Sequence, residues 1–328
     1  MLSVRHVFIV NPVAGKGDYM AFTAQVDAYF AEQGGCYEIV ISEYAGHIIE
    51  YTRELGRSGI ETRVYACGGD GTLFEVTNGA FGYRNLSVGC VPLGSGNDFI
   101  RFFGDKSQFL NIEYQVKGST VPIDVLKAGD EYAINQCSAG MDAAAAQNMG
   151  KFRKWPLVSG KMVYYLALFY TFFRSIRFNL TVTVDDVEPI RRTCLFAIAA
   201  NAPYHGGGFK AAPEADPTDG LLEGVLIGAV SRLRVLTLLG TYRRGEHVKL
   251  THIYEHHAGK TLRFESPRPI VYTIDGETRT ASTVEVSLIP QAMDFIVPGI
   301  CTVSDEEKEK RAVAGTILPT PACETNAP

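Results

Sequence analysis

Arg63-Val64-Tyr65-Ala66-Cys67-Gly68-Gly69-Asp70-Gly71-Thr72-Leu73-Phe74-Glu75-Val76 passes from an apolar run, through a glycine-rich loop, into a helical pattern. The run Arg63 to Cys67 reads as a buried strand, and Thr72 to Phe81 as a helix. The same order recurs on either side. Arg5 to Val10 is a strand, Tyr19 to Glu32 a helix, Cys36 to Ser42 a strand and His47 to Arg57 a helix. Leu86 to Pro92 is a further short apolar strand, and Asp98 begins another helix. Such alternation predicts a three-layer α/β unit, a parallel sheet covered on both faces.

From about Pro122 the pattern changes. Short strands are predicted at Ile123 to Leu126 and Tyr132 to Cys137, around a Gly129-Asp130 turn. A helical patch covers Ala143 to Ser175, followed by strands at Leu180 to Val184, Thr193 to Ala199 and Leu221 to Ile227. A helix near Leu233 to Tyr242 precedes strands at Lys249 to Tyr254, Thr261 to Glu265, Ile270 to Ile274 and Thr283 to Leu288. Close-spaced short strands predict an antiparallel β-sandwich over about residues 123–289. The run Ser304-Asp305-Glu306-Glu307-Lys308-Glu309-Lys310-Arg311 reads as a solvated helix or tail, and residues 304–328 as a charged, disordered end.

Composition excludes several classes. Net charge is -5, which gives no general attraction to nucleic acid. The seven cysteines are scattered and hold no C-x-x-C pair, so neither a disulfide framework nor a zinc site is predicted, and a cytoplasmic setting is expected. The amino terminus shows no signal-peptide pattern. Met162 to Phe173 is strongly apolar, but at about twelve residues it is too short to span a bilayer.

Three loops hold the chemistry: Asn11-Pro12-Val13-Ala14-Gly15-Lys16-Gly17, Gly68 to Thr72, and Pro92-Leu93-Gly94-Ser95-Gly96-Asn97-Asp98. Each follows a predicted parallel strand, so all three fall on the sheet edge where such folds bind ligands. Glycines let backbone N–H groups converge on an anion, and the helix amino terminus adds partial positive charge. A phosphate or nucleotide site is predicted, with Asn11, Gly15, Lys16, Gly17, Gly68, Gly69, Asp70, Gly71, Thr72, Gly94, Ser95, Gly96 and Asn97 as its binding residues. No G-x-x-x-x-G-K-[ST] occurs, and Phe99 holds the place of the third glycine of a dinucleotide fingerprint. An aspartate inside a phosphate loop repels the ligand unless a cation intervenes, so Asp70 is assigned to metal linkage. Asp98 reads as a metal residue and a helix N-cap together. Asp275-Gly276-Glu277 alone reads as a hairpin turn.

These motifs resemble the diacylglycerol kinase catalytic family, which includes sphingosine and ceramide kinases and short bacterial lipid kinases. The match runs from N-P-x-A-G-x-G at Asn11 to Gly17, through G-G-D-G-T at Gly68 to Thr72 and P-x-G-S-G-N-D-F at Pro92 to Phe99. It continues in Asn135 with Gly140-Met141-Asp142-Ala143, in Gly206-Gly207-Gly208 with Asp219-Gly220-Leu221, and in Asp275-Gly276-Glu277. The resemblance implies a nucleotide-binding domain over about residues 1–122, rejoined by about 290–303, and a cleft between it and the sandwich. It implies ATP and Mg2+, with Glu277 as catalytic base and Asp275 beside it. Asp70, Asp98 and Asp124 are implied near the metal and phosphates, and Asp219 at a structural magnesium. The implied partner is a lipid at the inner membrane surface, met transiently, with Lys151-Phe152-Arg153-Lys154-Trp155 as a candidate contact. A homodimer is implied by the bacterial members.

Diacylglycerol is the acceptor the resemblance implies; a sphingoid base, polyprenol, phosphatidylglycerol or NAD is the alternative, as is a non-catalytic sensor on the same fold. A separate zinc-peptidase reading comes from His252-Ile253-Tyr254-Glu255-His256, which spells H-x-x-E-H but needs a helix where the flanks alternate like strands.

Overall fold

The computed structural model describes residues 4–15, 19–152, 155, 158, 161–174 and 176–299. The expectations placed on Lys16, Gly17 and residues 304–328 lie outside them. The first part runs β1 (Arg5–Val10), α1 (Tyr19–Gln33), β2 (Cys36–Ile41), α2 (His47–Arg57), β3 (Thr62–Gly68), α3 (Asp70–Ala80) and β4 (Leu86–Pro92). These strands pair in parallel in the order β4-β3-β1-β2. Successive side chains point to opposite faces of the sheet, which explains the layers. Val7, Ile9, Val64, Ala66 and Val88 enter one core with Ile48 and Leu55 of α2 and Leu73 and Val76 of α3. Phe8, Val10, Tyr65, Cys67 and Val91 face the other way, against Phe22, Val26 and Phe30 of α1. Side chains of period two are therefore buried on both faces of the sheet.

A 3₁₀ turn (Phe99–Phe102) and two short helices, α4 (Lys106–Leu110) and α5 (Ile112–Val116), lead to β5 (Ser119–Ala128), β6 (Glu131–Ala133) and β7 (Gln136–Gly140). The single strand expected over Tyr132 to Cys137 is thus two, separated at Ile134 and Asn135. The predicted helical patch is likewise two helices, α6 (Met141–Phe152) and α7 (Lys161–Arg174). Then follow β8 (Phe178–Val184), β9 (Ile190–Ala200), β10 (Tyr204–His205), β11 (Phe209–Lys210), β12 (Leu222–Gly228), α8 (Arg232–Arg243), β13 (Tyr254–Gly259), β14 (Thr261–Ile274) and β15 (Glu277–Val297).

The strand expected at Lys249 to Tyr254 is a correction. Glu246–Lys249 is a 3₁₀ turn, and β13 starts only at Tyr254, pairing with β12. The alternation of Val248, Leu250 and His252 mimicked a strand, whereas the polar run of β13 concealed one. No helix supports the H-x-x-E-H spelling either. Glu255 pairs with Arg192, His256 with Glu223, and His252 bonds Arg234.

Strands β9 and β14 each change partner along their length. The start of β9 pairs with β8 and its end with β7, while β14 pairs with β8 through Leu262 to Glu265 and with β7 through Tyr272 to Ile274. The irregularity between Glu265 and Ile270 accommodates that switch. Two faces so formed enclose Leu180, Val182, Leu262, Phe264, Ile274, Val284 and Val286. β15 then links the halves. It pairs antiparallel with β14 and β5, bulges between Ile289 and Met293, and pairs in parallel with β4 at Asp294 and Phe295. Gln291 takes a positive φ of 47° in that bulge.

Candidate functional site

The carboxyl ends of β1, β3 and β4 and the β14–β15 turn border one cleft of about 540 Å³. Asn11, Gly15, Gly69, Asp70, Gly71, Thr72, Gly94, Ser95, Gly96 and Asp98 line it from the α/β side. Asp275, Gly276 and Glu277 line it from the other. The loops interlock closely. Gly94 N–H donates to the Gly68 carbonyl at 2.8 Å, and a Cβ on Gly94 would sit 2.5 Å from Gly69 Cα. Only glycine allows that approach. Asn11 Nδ2 donates to Thr72 Oγ1 at 3.2 Å, tying the first loop to the second.

Asp70 is the first residue of α3, and its carboxylate fastens the second loop to the third. Its Oδ2 accepts the Asn97 N–H at 2.8 Å and its Oδ1 the Asp98 N–H at 2.9 Å. A Cβ on Gly96 would fall 2.1 Å from Asp70 Oδ2, so a glycine is needed there for the latch to close. Asn97 is buried, holds a φ of 55° and donates its side-chain amide to the Gly94 carbonyl. It shapes the loop from behind and does not line the cleft, and Gly68 likewise packs against Thr72 beneath the floor.

Asp275 and Gly276 both have positive φ, 45° and 89°, as a two-residue type I′ hairpin turn requires. The Asp275 carboxylate is held by three backbone N–H groups, those of Ile134, Asn135 and Gln136. This is why β6 and β7 separate there. Burial pushes the carboxyl up to about 7 against the pull of those donors. Glu277, by contrast, is exposed, and a Cβ on Gly71 would lie 3.6 Å from its Oε1. The turn therefore sets a carboxylate opposite the amino terminus of α3.

Of the four aspartates expected at metal positions, only two meet in the cleft. Asp98 lies beside Asp70; burial and the Asp70 charge raise its carboxyl to about 6. It makes no N-cap bond, which corrects the capping expectation. Its oxygens instead accept from Arg101 Nε at 3.1 Å and Gly207 N–H at 2.8 Å. Asp124 is a correction of place. It is buried outside the cleft, where Oδ1 accepts the Gln291 N–H and Oδ2 the Gly220 N–H, both at 2.7 Å. It thereby pins the β15 bulge. Asp219 is its neighbour, raised to about 7 chiefly by burial, with the Asp216, Glu223 and Asp124 charges adding to it. Among the described residues no three His, Cys, Asp or Glu side chains converge as a metal-holding group.

Three residues were not foreseen as site residues. Glu75 lines the cleft one turn along α3 from Thr72. Its Oε2 is buried without a hydrogen-bond partner, and burial together with the Glu277 charge raises its carboxyl. The i, i+3 spacing from Thr72 was the available signal. Asp142 and His205 line the cleft from the sandwich half. His205 bonds Gln136 Nε2 at 2.7 Å and the Tyr242 hydroxyl at 2.8 Å, and burial lowers its basicity. Both residues also border an adjoining cavity of about 80 Å³, walled mainly by apolar side chains such as Leu168, Phe196, Phe209 and Leu238, with Tyr242 and His247 among them. No spacing in the sequence joins residues so far apart.

Both halves of the chain resemble known proteins. Residues 5–128 match the diacylglycerol kinase catalytic domain, and residues 135–297 match the YegS C-terminal NAD kinase beta sandwich-like domain. A diacylglycerol kinase of Mycobacterium tuberculosis is 27% identical over 300 residues, covering 88% of this chain and 94% of its own. A crystal structure of a diacylglycerol kinase from Bacillus anthracis superposes with a TM-score of 0.68 at 18% identity, covering 92% of this chain and 100% of its own. Two adjacent domain matches, in order and over nearly all of the described chain, place this protein in the diacylglycerol kinase catalytic family, a family of lipid kinases.

Proposed function

We propose that the protein transfers the γ-phosphoryl group of ATP to the hydroxyl of diacylglycerol, giving phosphatidate. The observation that supports this most is the placement of Glu277 across the cleft from Gly71, within reach of the space above the α3 amino terminus. In this reading the three loops receive the triphosphate through backbone N–H groups. Glu277 accepts the proton of the attacking hydroxyl, and the Asp275 clamp fixes the hairpin that presents it. Asp70 holds the third loop in register, so most of its contribution is positional.

The donor set fits a magnesium ion that arrives on the nucleotide, not one caged by protein alone. Each Asp70 oxygen uses one lone pair on an N–H and keeps another, and Glu277 stands exposed nearby; these two would face the ion. When bound, magnesium neutralises charge on the phosphates. An acceptor with an apolar body is favoured over NAD because the cleft adjoins the apolar cavity through Asp142 and His205.

The test offers purified protein and labelled ATP with diacylglycerol, sphingoid bases, polyprenols, phosphatidylglycerol and NAD in parallel. Labelled phosphatidate as the main product supports the proposal. Preferential phosphorylation of another acceptor overturns the choice of lipid, and turnover of NAD alone overturns the lipid reading.

A further inference from the structure

Helix α7 has two faces. Val163, Ala167 and Thr171 are buried, while Met162, Tyr165, Phe169 and Phe173 are 56%, 45%, 63% and 60% exposed. At 3.6 residues per turn these four fall within an arc of about 80°, one continuous apolar stripe. Soluble surfaces seldom leave such a stripe uncovered without a use for it. Helix α8 extends it. None of its residues is fully buried; its inner side, Val235, Leu238 and Tyr242, borders the apolar cavity, and Leu233 and Leu236 stand 74% and 57% exposed. The two helices meet directly, because Arg232 Nε donates to the Phe172 carbonyl at 3.0 Å and its Nη2 to that of Phe173 at 3.3 Å.

Charge around this surface runs against the rest of the chain. The whole protein is net -5, yet the sequence from 143 to 184 contains no Asp or Glu, and its described residues include Lys151, Arg174 and Arg177. Helix α8 is equally free of acids, with Arg232, Arg234 and Arg243. The stripe also reaches the site, since Tyr165 is both part of it and a wall of the cleft.

We propose that the outer faces of α7 and α8 form one docking surface for an anionic lipid bilayer. Phe169, Phe173, Leu233 and Leu236 enter the acyl boundary, and the flanking cations meet anionic headgroups. Docked in this way, the mouth of the cleft at Tyr165 opens onto the bilayer, and an acceptor lipid reaches Glu277 without crossing water. The orientation rests on the lipid-acceptor reading; the binding surface itself does not.

The experiment uses the full chain and vesicles of phosphatidylcholine with or without phosphatidylglycerol. Wild type is compared with Phe169→Ser/Leu233→Ser and with Arg174→Glu/Arg234→Glu, all checked for folding by circular dichroism. Sedimentation of wild type with the anionic vesicles is expected, with at least a tenfold loss in each double variant. Phosphorylation of a short-chain acceptor dissolved as monomer is expected to persist in both variants, while KM for vesicle-borne acceptor rises. Equal binding of wild type and variants overturns the proposal, as does failure of wild type to bind. A dimer in light scattering that Phe169→Ser/Leu233→Ser dissolves would give the surface to a second copy and overturn it too. Vesicle binding lost in the variants, with no acceptor phosphorylated by any form, would sustain the docking surface and refute the acceptor assignment.

Discussion

Replacing Asp70 with Asn isolates the latch between the second and third glycine loops. In the wild type both carboxylate oxygens accept backbone N–H groups, at 2.8 Å from Asn97 and 2.9 Å from Asp98. Bonds to a charged acceptor contribute about 1.5–3 kcal/mol each. The amide keeps one oxygen and turns an NH2 group toward the other donor, so one bond is lost and one buried N–H is left unpaired. The expected cost is about 2–3 kcal/mol, or a fall in Tm of roughly 5 °C in a domain of this size. The effect on turnover is larger in kind, because a loop displaced by about 1 Å can lower a rate some hundredfold. Thermal melting, amide hydrogen exchange at residues 94–98 and turnover with ATP and lipid form the assay. Faster exchange confined to that loop, with kcat down about a hundredfold in a folded protein, is the expected result. Unchanged exchange and Tm with abolished turnover would refute the latch and move Asp70 onto the ligand itself.

Other consequences are equally concrete. Gly96→Ala places a Cβ 2.1 Å from Asp70 Oδ2 and should reproduce the Asp70→Asn loss of turnover; an active Gly96→Ala enzyme would contradict the tight loop geometry. Asp124→Asn removes one of two 2.7 Å bonds that pin the β15 bulge and the 216–220 loop, and should cost about 2–3 kcal/mol in chemical denaturation; an unchanged midpoint would count against that role. His6 is buried against Tyr65, and burial, with the Arg63 charge, lowers its pKa from 6.5 to about 4. The unfolded chain therefore binds the proton more readily. Stability from the neutral ring is full above pH 6.5 and lost as pH falls toward 4, by at most about 3 kcal/mol. His6→Phe should flatten that fall, and parallel acid-unfolding curves for the two proteins would contradict it.

The α/β half was legible because its signals are local. Val7 to Val10 and Val64 to Cys67 are apolar at every position, and both faces of those strands are buried, so continuous hydrophobicity and parallel pairing coincide. The glycine loops announced themselves for the same reason, each following its strand. Local signals are weaker in the second half. The pattern predicts separate strands at Thr261 to Glu265 and Ile270 to Ile274 where the single β14 runs through an irregularity, and the edge strand β13 is too polar to stand out. Long-range contacts were the least visible. Nothing in the spelling of Asp70 or Asp124 says which distant N–H each will accept, so by sequence Asp70 reads as a metal residue and not as a loop latch, and the resemblance implies Asp124 beside the phosphates. Asp275-Gly276 was readable as a turn, while the clamp from Ile134 to Gln136 depends on contacts about 140 residues away.

In the proposed reaction Glu277 takes the proton of a lipid hydroxyl in the cleft shared by the two halves. Its most direct test is Glu277→Gln, an isosteric change at an exposed position where folding should be unaffected. With labelled ATP and diacylglycerol vesicles, kcat is predicted to fall by about 10²–10⁴ while Tm stays at its wild-type value. Near-normal phosphatidate formation by Glu277→Gln would contradict the account.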